Sequence, residues 1–93
     1  MNKYEVLYIL VANLDEAVKE AQIEKYSALV TSNGGEVESI NKWGNKRFAY
    51  EIDGKNEGYY VLMNFTASPE LPQELERQMR ISDEVVRYMV VRK

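Results

Sequence analysis

Six patterned segments in a fixed order constrain this chain more than any single motif. Residues 4–11 are rich in β-branched and aromatic types and read as a strand with apolar side chains on both faces. Asn13, with Glu16 three residues on, fits a capping box that opens a helix at about Leu14. Val18, Gln22, Ile23, Tyr26, Leu29 and Val30 share one stripe of that helix. Asn33-Gly34-Gly35 stops it, because glycine accepts the left-handed conformation of a helix end. Residues 37–42 and 47–52 form one long strand, interrupted or bulged at Trp43-Gly44-Asn45. A turn cluster at residues 53–58 leads to a third strand over 59–66. Ser68-Pro69-Glu70 opens a second helix carrying Leu71, Leu75 and Met79, with Pro72 delaying its regular part. Residues 85–91 form the last strand.

The order β-α-β-β-α-β is the ferredoxin-like arrangement: a four-stranded antiparallel sheet, order 4-1-3-2, with both helices on one face. A chain of 93 residues supports one such domain, spanning 1–93, and no second core. The other sheet face then has no helix over it. Turning Val61 and Phe65 under the helices exposes Tyr60 and Leu62, since successive strand residues point to opposite faces. Leu7 and Ile9 join them if Val6, Tyr8 and Leu10 point inward. An uncovered apolar patch of this kind marks a partner surface.

The composition removes most catalytic chemistry. There is no cysteine and no histidine, so thiolate nucleophiles, disulfides, imidazole bases and the usual zinc ligands are excluded. Glu70, Glu74, Asp83 and Glu84 have no companion base and read as solubilising charge. No cofactor and no metal site is indicated, and no small-molecule substrate. The apolar run 6–12 is too short for a signal peptide or a membrane span, so no membrane is expected and the plain reading is a cytoplasmic protein.

The net charge of -3 understates the local field. Residues 42–50 carry Lys42, Lys46 and Arg47 without an acid, and residues 85–93 carry Arg87, Arg92 and Lys93 without one. Polyanion affinity follows the local patch and counterion release, so an acidic total does not exclude nucleic acid. Two nucleotide-binding signatures are absent. Glu57-Gly58-Tyr59-Tyr60 begins with the wrong charge for an RNA-recognition motif, and Gly44-Asn45-Lys46-Arg47 lacks the glycine spacing of a phosphate loop. Nor does residues 11–14 offer the glycine-rich anion loop of an acylphosphatase-like hydrolase. Read locally, the run from Trp43 to Ile52 is first a strand-entry turn with solvated cations. A small-molecule regulatory module, built as a homodimer joined sheet to sheet through the open face, is the alternative that explains the exposed apolar residues without the cations.

Gly44-Asn45-Lys46-Arg47-Phe48-Ala49-Tyr50-Glu51-Ile52 resembles the signature of the bacterial small-subunit ribosomal protein six family. Tyr4-Glu5, Gly58-Tyr59-Tyr60 and the ending from Ile81 to Val91 extend the resemblance over essentially the whole chain. Phe48 stands where leucine is usual, and Asp53 where a cation or small residue is commoner. The resemblance implies a structural, non-enzymatic constituent of the small ribosomal subunit. It implies pairing with small-subunit ribosomal protein eighteen and binding of the central domain of 16S rRNA during platform assembly. Within it, Lys3, Lys46, Arg47, Arg80, Arg87 and Arg92 are the candidate RNA contacts. Ile40, Trp43, Phe48, Tyr60 and Leu62 are the candidates for the protein partner.

Overall fold

The computed structural model describes the backbone of residues 1–52 and 55–93, and the side chains of residues 1–47 and 57–93. Its elements are β1 (Asn2–Val11), α1 (Glu16–Ser32), β2 (Glu36–Ile52), β3 (Lys55–Ala67), α2 (Leu71–Arg80) and β4 (Val85–Arg92). The strands form one antiparallel sheet in the order β2-β3-β1-β4, the expected order read from the other edge.

Alternation in β1 and β3 builds the core. Tyr4, Val6, Tyr8 and Leu10 of β1 and Val61, Met63, Phe65 and Ala67 of β3 are buried beneath Ile23, Tyr26 and Val30 of α1 and Leu71, Leu75 and Met79 of α2. Tyr4 pairs with Phe65 in the ladder, and their rings stack with centroids 5.6 Å apart. Burial of each large apolar side chain contributes about 1.5–3 kcal/mol.

The helix stripe holds one residue that its hydrophobicity conceals. Lys19 is buried on α1, with Nζ 3.8 Å from Glu16 and 4.7 Å from the centre of the Tyr59 ring. Its methylene stem fills apolar space while the ammonium rests on the aromatic face. The start of α1 also differs from the capping-box expectation. The helix begins at Glu16 with Asp15 as its N-cap, and no side chain caps it. The N–H groups of Val18 and Lys19 bond instead to the Asp15 carbonyl. At the other end, Gly34 adopts φ 81° and donates to Thr31 O, while Gly35 donates to Val30 O. These two bonds satisfy carbonyls of the last helical turn.

The expected interruption of β2 is a bulge within a continuous strand. Register slips between Lys42 and Gly44, with Lys42 opposite Val61 and Gly44 opposite Tyr60. Gly44 carries φ 86°, a left-handed value that a side chain opposes, and Trp43 is the extra residue. β3 starts earlier than the turn cluster suggested: Lys55 to Gly58 belong to the strand, while Asp53 and Gly54 lie outside the described residues. The second helix begins at Leu71, with Pro72 in its first turn, where a missing N–H costs nothing.

Candidate partner and RNA surface

The sheet face turned away from the helices carries a band of large side chains in register. Tyr60 lies opposite Ile9, and Ile9 opposite Arg87. One step along, Leu62 lies opposite Leu7, and Leu7 opposite Met89. Leu7, Ile9, Tyr60, Arg87, Tyr88 and Met89 line a shallow depression of about 370 Å³. Ile9 forms its floor, only 7% exposed although no helix covers it.

The bulge completes this band. As the extra residue, Trp43 turns onto the open face and stacks on Tyr60 with ring centroids 6.2 Å apart and planes 11° apart. Lys46 places Nζ 6.0 Å from the Trp43 ring centre. Trp43 stays 46% exposed, and Met89 and Val91 add exposed apolar surface at the β4 edge. A contiguous apolar band of this size, rimmed by cations, is uncommon on the surface of a folded domain. It provides apolar area, an aromatic anchor and charge.

The four sequence-derived partner residues whose side chains are described divide between two places. Trp43, Tyr60 and Leu62 belong to the open face. Ile40 pairs with Met63 and packs against the core on the helix side, so it is removed from the open face. The Phe48 side chain lies outside the described residues. Met89 and Val91 were missed by sequence reasoning. The signal was present in the alternation of β4, where Tyr88 and Val90 turn to the core and residues 87, 89 and 91 to the other side.

The six candidate RNA contacts divide between two ends of the domain. Lys46 and Arg47 pair with Gly58 and Glu57, beside the finish of β1, where β4 begins. Arg87 is near the start of β4, and Arg80 ends α2 just before it. Lys46 and Arg87 stand on opposite edge strands, three strand spacings or roughly 14 Å apart. Among the described residues, no carboxylate lies within ion-pair distance of Lys46, Arg47, Arg80 or Arg87.

Lys3 and Arg92 sit at the far end and are engaged locally. Lys3 Nζ is 3.6 Å from Glu38, and Arg92 donates to Asn2 Oδ1 at 3.2 Å. Lys42 is likewise committed: its Nζ is 2.8 Å from Glu20 on the helix side, and that hydrogen bond raises its pKa. Among the described residues, no cluster of acidic side chains has the arrangement of a metal site, and no helix is long and apolar enough to cross a membrane.

Comparison with known proteins accounts for this combination. The family model for ribosomal protein S6 matches residues 3–92. The small ribosomal subunit protein bS6 of Clostridium novyi is 52% identical over 91 residues, covering 98% of this chain and 96% of that protein. The bS6 protein of Carboxydothermus hydrogenoformans is 51% identical over 92 residues, covering 99% and 96%. The crystal structure of 30S ribosomal protein S6 from Thermotoga maritima superposes with a TM-score of 0.93 at 29% identity, covering 99% of this chain and 87% of that one. With its fold, its uncovered sheet face and this near full-length agreement, the chain belongs to the ribosomal protein S6 family and is a structural constituent of the small ribosomal subunit, not an enzyme.

Proposed function

We propose that this chain pairs with small-subunit ribosomal protein eighteen through its open sheet face, and that the pair binds the central domain of 16S rRNA during platform assembly. The observation that carries the reading is the exposed Trp43–Tyr60 stack beside the Leu7–Ile9–Met89 depression. A face this apolar gains from being covered, and aromatic residues beside a depression make good anchors. Lys46, Arg47, Arg80 and Arg87 lie at one end of the same domain, without an ion pair to any of the described residues, and are the favoured RNA contacts. Lys3 and Arg92 take a secondary part, because RNA must first displace Glu38 or Asn2 from them. Folded RNA is read mainly through phosphate and 2′-hydroxyl contacts, which is work for cations at strand ends. A protein of net charge -3 binds RNA weakly by itself, and a cationic partner supplies the missing attraction.

Filter binding of a 16S central-domain fragment tests this directly. Binding is expected from the mixture of this chain with protein eighteen, and far less from this chain alone. The homodimer alternative predicts that the isolated chain elutes as a stable dimer, indifferent to salt, RNA and protein eighteen. That result overturns the reading.

A further inference from the structure

The chain has four methionines, and the fold treats them differently. Met63 and Met79 are fully buried in the core. Met1 begins the chain and is 76% exposed, while Met89 is 59% exposed within a regular strand. Strand alternation is the cause. Tyr88 and Val90 pack against the core, so Met89 points to the other side, where it faces Leu7 across the ladder and lines the open-face depression. A thioether is thus presented to solvent in the part of the molecule where apolar character matters most.

We propose that Met89 is an oxidation site: a hydroperoxide converts its thioether to the sulfoxide in the undocked chain, and the sulfoxide blocks the protein partner from the open face. The docking half of this rests on the reading of that face given above. In the reaction a lone pair on Sδ attacks the outer peroxide oxygen. The O–O bond breaks as the S–O bond forms, and sulfur gives up two electrons. The proton on the transferred oxygen moves to the departing oxygen, which leaves as water or, from an alkyl hydroperoxide, as an alcohol. Only an accessible sulfur can be reached, which selects Met89 over Met63 and Met79. The fold survives, because Met89 is not among the side chains packed on the core. The face does not survive unchanged. A strong S–O acceptor replaces an apolar group, and covering it with a partner whose surface matches the thioether removes its water. The expected weakening of partner binding is about tenfold or more.

The test treats the intact chain with dilute hydrogen peroxide and follows each methionine by peptide mass. Met1 and Met89 should gain oxygen first, and Met63 and Met79 only under unfolding conditions. Saturating the chain with protein eighteen beforehand should slow oxidation of Met89. Affinity for protein eighteen is then measured for treated and untreated chain and for Met89→Leu, which keeps an apolar side chain. The treated wild-type chain should bind about tenfold more weakly or worse. Met89→Leu, compared with itself before and after treatment, should keep its own affinity through peroxide, although its Met1 is oxidised equally. Oxidation of Met63 ahead of Met89 overturns the site. Equal binding by the sulfoxide form, when the untreated chain binds well, overturns the block alone. Failure of the untreated chain to bind protein eighteen overturns the partner reading, and the block falls with it.

Discussion

Trp43 and Tyr60 stack across neighbouring strands with planes 11° apart, at the point where one residue has been inserted into β2. Gly44, at φ 86°, allows the strand to resume its ladder at once. The aromatic anchor of the open face thus sits directly on a local backbone device.

Gly44→Ala should show this. A methyl group at position 44 meets nothing within 4 Å, so its cost is the left-handed backbone alone. That amounts to about 1 kcal/mol, or a fall in Tm of roughly 4–8 °C for a domain of this size. Relief of the strain shifts the bulge, so Trp43 fluorescence should also change. Thermal melts with emission spectra check both effects.

Arg87→Ala and Lys46→Ala should weaken binding of the 16S central-domain fragment by the assembled pair of proteins, and each should lower the salt slope by about one. Lys3→Ala should change it less, since Glu38 already holds that ammonium. Binding isotherms at several salt concentrations separate these cases. Equal slopes for all three variants would contradict the assignment of the two ends.

Tyr8→Phe should be close to neutral at pH 7. The Tyr8 hydroxyl is buried without a hydrogen-bond partner among the described residues, so its removal sacrifices no bond to them. The effect belongs to alkaline solution. Burial raises the Tyr8 pKa far above the ordinary 10.0, with Tyr26 and Tyr59 adding to it. The neutral form is favoured in the folded state, so its contribution is intact below pH 10 and is lost as pH rises beyond that value. Denaturant titrations between pH 8 and roughly 11 should show a shallower alkaline decline for Tyr8→Phe than for the parent chain.

Glu74 tests the opposite direction. Arg77 forks onto its carboxylate at 2.7 and 2.9 Å, and with help from Gln78 this lowers its pKa to about 2. The ionised form is favoured in the folded state, so the stabilisation is complete above the unfolded value of 4.5 and fades as pH falls toward 2. The pair is exposed and water screens it, so Glu74→Gln should flatten the acid limb of the stability profile only slightly. Urea melts across that window check the sign.

Much of this molecule was legible in the sequence because its periodicities are clean. Alternation in β1 and β3 separates Val6, Tyr8, Val61 and Phe65 from Leu7, Ile9, Tyr60 and Leu62, and the open face follows from that separation. The bulge was legible because a glycine sits where the alternation of β2 breaks. Lys19 was not, since a charge on a helix stripe reads as solvent-facing until an aromatic ring such as Tyr59 lies beneath it. Asn13 and Glu16 offered a capping box by spacing, but the helix starts after Asp15, whose carbonyl already accepts two N–H groups. The division of the cations between two ends could not be read at all. It depends on how strand register brings Lys46 and Arg87 to one end and carries Arg92 to the other.

The sole tryptophan gives the central claim its most direct measurement. Trp43 emission is followed while protein eighteen is titrated into this chain, with binding monitored in parallel by calorimetry. Covering the open face predicts a saturable blue shift with the same midpoint as the calorimetric isotherm. A full calorimetric isotherm with unchanged Trp43 emission would place the partner elsewhere and contradict the account.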